Sequence, residues 1–273
     1  MKRLTLLLVA IVSCLSLFAW TYDTTEQTTE QSVQLRAGAD FTKKWNNGLR
    51  LGVSEDLRFD LYNSLTGANF NKSYTTLTLA YAPNNYFKVD AGYVLKIMGT
   101  KDWSDVNEWM RHRAFMSVTG SYQIGQVKLS LRERVMCEIR TDSVNLDEKN
   151  RYNWQLRSKL SAEYSLRSKP LKPYAWIELV NTLNVPEYQK KYKDNDTSNK
   201  GMQYITKVRT TVGLKYRLDQ HNTLNFYYRF NYGYDRDINI NKGYYTKGKD
   251  LRVELTEEKT YQHAIGVTYE FGW

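Results

Sequence analysis

Basic residues recur in this sequence at a spacing of two: Arg132 and Arg134, Arg157 and Lys159, Lys207 and Arg209, Lys215 and Arg217. In an extended chain residues two apart share a face, so each pair sets two cations on one surface, where their ordinary chemistry is to hold anions. The same phase of neighbouring stretches carries Arg50, Arg58, Lys88, Lys96, Arg113, Lys128, Arg140, Arg167 and Arg229. Against them stand Asp40, Asp56, Asp60, Asp90, Glu138, Glu163 and Glu178. If each acid takes one base, a surplus of cations remains, and low-dielectric walls would focus its field along an interior path. The competing reading is an interior packed shut by Arg, Tyr and carboxylate networks.

Catalytic chemistry finds less support. His112, His221 and His263 are the histidines; the spacing sets His221 in a turn and the other two at strand starts near a rim, where solvated roles suffice. A lipid hydrolase would need Ser, His and an orienting Asn or Asp together at one membrane edge, and no nucleophile elbow or metal-ligand spacing is present. Asp235, Asp237, Asn239 and Asn241, like Asp194-Asn195-Asp196, resemble calcium loops only in part, since the turn glycine and bidentate Glu are missing. The expectation is a non-enzyme with no metal and no cofactor. Trp103, Trp109, Tyr188, Tyr192, Tyr244 and Tyr245 lie in long connections beside Lys190, Lys191, Lys193 and Lys242, a composition that suits a sugar- or protein-binding surface, loop packing or contact with lipopolysaccharide. A closed barrel serving as a surface binding, receptor or structural protein is therefore the second function class.

The cations need a wall to stand on, and the opposite phase supplies it. Val33 to Phe41, Leu49 to Leu61, Leu77 to Tyr81, Phe87 to Ile97, Ala114 to Ile124, Val127 to Ile139, Trp154 to Leu166, Tyr204 to Leu218 and Leu224 to Tyr234 all alternate apolar with polar residues. Tyr174 to Asn181 is ambiguous in phase. In the stretch from Tyr261 to Trp273 the odd positions are nearly all apolar or aromatic and the even ones small or polar, and its Tyr269, Phe271 and Trp273 have the form of a β-barrel assembly signal. Glu55 and Glu133 break the phase, which predicts a bulge or a place near the membrane edge.

Tight turns at Trp45–Gly48, Ala82–Asn85, Gly125, Ser168–Pro173 and Asp219–Asn222 alternate with long polar connections, the cadence of short periplasmic turns and long outer loops. The expected fold is all-β: a single antiparallel up-and-down transmembrane barrel of about 12 strands, alternatively 10, by a parity argument that leaves the Val33 strand in question. A mean hydropathy of -0.62, with 22 Tyr, 9 Phe and 7 Trp in 273 residues, is too polar for membrane helices yet rich in interfacial aromatics.

Lys2 and Arg3 before the apolar run Leu4 to Phe18 and Ala19 read as a cleaved secretory signal, residues 1–19, followed by a leader or first short strand over 20–32 and the barrel over 33–273. A lipobox reading of Ile11-Val12-Ser13-Cys14 would leave apolar residues where a polar tether belongs. Cleavage leaves Cys137 without a disulfide partner. The formal net charge of +10, lowered by two on cleavage, points in an exported protein to anionic ligands or lipopolysaccharide phosphates and away from nucleic acid. The expected setting is the bacterial outer membrane, as a monomer, with lipid, lipopolysaccharide and the barrel-assembly machinery as partners.

The Lys43-Lys44-Trp45-Asn46-Asn47-Gly48-Leu49 turn, the Glu55-Asp56-Leu57-Arg58-Phe59 stretch and the terminal Tyr269-Glu270-Phe271-Gly272-Trp273 resemble a domain-of-unknown-function family of small outer-membrane β-barrel proteins common in Bacteroidetes. The resemblance covers nearly the whole mature chain and implies fold and location. It carries no activity.

Overall fold

A computed structural model describes residues 26–61, 69–99, 110–140, 151–166, 169–184, 205–240 and 253–273, the side chains of 26–28, 235–240 and 253–257 excepted. Residues 1–25, which include the expected signal, lie outside this set. The described chain forms β1 (Glu26–Lys44), β2 (Leu49–Asp60), β3 (Asn69–Tyr81), β4 (Phe87–Met98), β5 (Met110–Ile124), β6 (Val127–Arg140), β7 (Tyr152–Tyr164), β8 (Leu171–Thr182), β9 (Ile205–Arg217), β10 (Asn222–Ile240) and β11 (Val253–Gly272). Each strand pairs antiparallel with the next, and β1 closes on β11 in parallel.

Eleven strands among the described residues lie between the ten and twelve left open by parity. An even count requires that the first and last strands run in opposite directions, and the parallel β1·β11 ladder, from Glu26↔Thr256 to Thr42↔Gly272, does not meet that requirement. From Glu26 onward the Thr/Glu/Gln-rich stretch is continuous with the Val33–Phe41 alternation in one strand. The long connection from Asp235 to Lys259, in which only the part around Leu251 to Leu255 is expected to extend the terminal strand, is ladder at both its described ends: β10 and β11 stay paired from Tyr234↔Lys259 to Ile240↔Val253. Side-chain alternation ends where both faces of a strand meet water, but backbone hydrogen bonding does not.

The wall is apolar outside and polar inside. Met116, Ile265 and Val212 are 66%, 61% and 56% exposed, whereas Gln34 and Arg36 are each 1% exposed and Asp90, Glu138, Glu178 and Asn231 are buried. This inversion of the usual globular pattern is that of a barrel spanning a bilayer. Aromatic residues gather on the outside near the turn end, among them Tyr81, Tyr86, Phe87, Tyr122 and Trp273. Gly48 (φ 87°) and Gly125 (φ 61°) supply the left-handed residues of two tight turns.

Local departures have physical reasons. β8 begins at Leu171 and takes Pro173 into the ladder opposite Leu214, beyond the turn expected to hold it. Its ambiguous phase resolves with Tyr174, Trp176, Glu178 and Val180 inward, because Glu178 finds arginines inside and Ala175 and Ile177 fit the lipid face. Glu55 occupies no bulge; the β2·β3 register shifts only at Arg58/Phe59. Glu55 points outward and accepts the Thr75 hydroxyl at 2.6 Å, as Glu133 accepts that of Ser158 at 2.6 Å. Inside the lumen Val94, Phe115 and Met136 make a small apolar cluster against Tyr74.

Candidate functional site

Cross-strand register decides which inward side chains meet. Directly opposed pairs include Arg36 with Arg58, Arg58 with Lys72, Lys96 with Arg111, Arg132 with Lys159, Arg134 with Arg157 and Lys172 with Lys215. Like charges directly opposite destabilise a sheet. Their recurrence on the inner face therefore calls for compensation from elsewhere.

Three of the acids compensate part of it by taking two bases each. Glu178 joins Arg132 (2.9 Å) to Arg209 (2.9 Å), Glu138 joins Arg111 (3.5 Å) to Arg113, and Asp90 joins Lys88 (3.5 Å) to Arg134 (3.5 Å) while accepting the Ser117 hydroxyl at 2.7 Å. Asp56 holds Arg58 at 2.6 Å, and Glu270 holds Lys215 at 3.2 Å. A second kind of support is shared by cations with an acid partner, such as Arg58, Arg113 and Arg134, and by cations without one among the described residues, such as Lys159 and Arg229.

That support is aromatic. Lys159 Nζ lies 4.1 Å and Arg229 Cζ 5.0 Å from the Trp176 ring centre. Arg58 and Arg113 lie 4.1 Å and 5.2 Å from that of Tyr74, and Arg134 lies 3.9 Å from that of Phe115. An aromatic face attracts a cation through its quadrupole but does not neutralise it. In addition, the Nε atoms of Arg36, Arg132, Arg134 and Arg140 are buried without a hydrogen-bond partner among the described residues.

Three glycines make room for the rings. Gly92, Gly213 and Gly266 lie opposite Phe115, Tyr174 and Tyr227, and a Cβ there would approach those rings to 2.5, 2.5 and 2.3 Å. The rings therefore lie flat against the wall. At the turn end this leaves a cavity of about 470 Å³ bordered by Asp40, Lys128, Lys159, Trp176, Tyr227 and Arg229.

The basic residues expected from sequence are distributed along the whole path. Arg50, Lys88 and Arg217 stand towards the turn end, where Arg217 is exposed; Arg132, Arg134, Arg157, Lys159 and Arg209 face the middle; Lys96 and Lys207 face the half of the barrel away from the tight turns. Sequence reasoning left out Arg36 and Lys72, although both share the inward phase, and the aromatics Tyr74, Trp176 and Tyr227, whose type alone does not reveal which face they take. Tyr228 and Tyr93 lie beside His263 and His112 on the outer face, Tyr228 Oη at 2.7 Å from His263 Nδ1. The long-connection aromatics and lysines from Trp103 to Tyr245, Asn241 and Asp194–Asp196 lie outside the described residues, and Asp235 to Asn239 fall in β10, a paired strand instead of a loop. Tyr269, Phe271 and Trp273 stand at the closing seam. The Trp273 N–H donates to Thr42 O at 3.1 Å, its carbonyl accepts from Lys44 N at 2.9 Å, and Phe271 packs on Phe41 and Trp273.

A closed strand ladder with a greasy exterior and a charged, aromatic-lined interior defines a transmembrane β-barrel. The chain belongs to a family described as protein of unknown function (DUF2490), whose model matches residues 33–242. Among solved structures the NanC porin is similar, with 13% identity over 87% of this chain and 98% of that chain and a TM-score of 0.44. No curated protein matches the chain.

Proposed function

We propose that the protein is a narrow outer-membrane channel whose basic lumen passes small anionic solutes, acidic sugars among them, and that it is not an enzyme. The observation that carries this reading is the set of inward cations opposed to other cations and rested on aromatic faces, as at Lys159 and Arg229 on Trp176. Such an arrangement keeps charge that a structural core would cancel. On this reading the chain is exported by its signal, inserted by the barrel-assembly machinery through Tyr269, Phe271 and Trp273, and works as a single copy among lipid and lipopolysaccharide.

Planar-bilayer current tests it. The open channel is anion-selective, and acidic sugars block it more strongly at low salt, where the Debye length reaches about 30 Å at 0.01 M. Replacing Arg132, Arg134, Arg157 and Lys159 with Gln moves the reversal potential towards no selectivity. A folded but silent wild type favours the second reading, a closed barrel that binds at its surface. The near-complete burial of Gln34 and Arg36, bonded to each other at 2.9 Å, is what supports that alternative.

A further inference from the structure

The turn-end cavity has a polarity of its own. Asp40 and Asp56 stand on β1 and β2, and Lys128 and Lys159 stand on β6 and β7, half way round the ring. Arg229 joins the basic side through the Trp176 ring they share, 5.0 Å from its centre.

Most acids here are engaged. Asp56 is held by Arg58 at 2.6 Å, Glu163 by Lys172 at 3.6 Å and Glu270 by Lys215 at 3.2 Å. Asp40 differs: among the described residues it accepts the Thr42 hydroxyl at 3.0 Å and has no ion pair. Lys128, Lys159 and Arg229 likewise have no ion pair to a described carboxylate; Arg229 gives its Nε to Thr211 at 3.1 Å. The cavity thus offers several uncommitted cations on one side and one uncommitted carboxylate on the other. Its volume of about 470 Å³ lies in the range of small-molecule sites.

We propose that this vestibule binds a small amino-bearing dicarboxylate, with its anionic groups at Lys159 and Arg229 and its ammonium group at Asp40. The inference rests on the reading that the lumen cations stay available to solutes. It adds a demand that reading lacks, namely a positive group on the ligand.

Calorimetric titration of the folded full chain in detergent, with heat-modifiable gel migration as the check on folding, compares L-glutamate with glutarate, which lacks the ammonium group. At low salt glutamate binds about fivefold or more tightly than glutarate. Asp40→Asn removes that preference, while Lys159→Gln with Arg229→Gln weakens both ligands by about tenfold. Lys169→Gln, in the exposed turn after β7, changes neither. Equal binding of the two ligands by the wild type, or a glutamate preference that survives Asp40→Asn, overturns the proposal. Glutamate binding by a barrel that passes no current upholds the site and removes the channel reading. Anion current without glutamate binding removes the site and leaves the channel.

Discussion

Gly266 lies opposite Tyr227 across the β10·β11 ladder, and the phenol ring occupies the space a side chain at position 266 would take, with its Cζ 2.3 Å from an ideal Cβ. Gly266→Ala therefore forces the ring off the wall and into the vestibule. Overpacking of this kind costs about 1–3 kcal/mol. The thermal midpoint of heat-modifiable migration should fall in the single variant, and adding Tyr227→Ala should recover much of that loss. Lack of coupling between the two changes would refute the flat-ring account.

Glu178→Gln tests the double pairing. The change leaves Arg132 and Arg209 without the charge that both approach at 2.9 Å. Breaking a buried pair by removing one partner costs about 3–5 kcal/mol. Unfolding by denaturant should show a loss of that order, partly restored by a high concentration of chloride or phosphate. An unchanged midpoint would mean that the carboxylate is not a structural counter-charge.

Glu133→Leu should stabilise the barrel. The carboxylate stands on the lipid face with the Ser158 hydroxyl, at 2.6 Å, as its hydrogen-bond partner among the described residues, and a charged group there is unfavourable to a degree that depends on depth. Folding equilibria in bilayers should show a gain of about 1 kcal/mol, a little less if Ser158 is kept than if it is replaced as well. A destabilised Glu133→Leu protein would place that site outside the hydrocarbon.

The Asp219 turn carries a pH dependence. The Asn222 amide group, followed by the His221 and Asn222 N–H groups, donates to the carboxylate and holds its pKa below the usual value. A depressed pKa means that the turn is stabilised above the unfolded value, about 3.9, and that this is lost as pH falls through the lower folded value. The backbone amide resonances of His221 and Asn222 should titrate with a midpoint below that of a free Asp. A midpoint at or above it would contradict the bonding seen here.

The parts of this fold that were legible in the sequence are those with two different solvents on the two faces of a strand. Met116 and Arg134 went to their correct sides because lipid and lumen impose opposite polarities on alternate residues. The β8 segment from Tyr174 to Asn181 was ambiguous because Trp176 and Val180 face inward, where rings and methyls support cations and pack the wall. The pairing of Asp235 through Ile240 with β11 was hidden for the opposite reason: beyond the bilayer neither face demands apolar residues. Within the site, charge sign and phase gave the cations, but not that Glu178 serves two arginines or that Trp176 carries two cations. Those depend on which strands become neighbours and at what register, which alternation along one strand does not encode.

The parallel closure of β1 on β11 makes the polypeptide a one-way thread. An even-stranded wall returns its chain to the side from which it started; this one enters β1 at the loop end and leaves β11 at the turn end. Glu26 and Trp273 thus lie at opposite ends of the barrel.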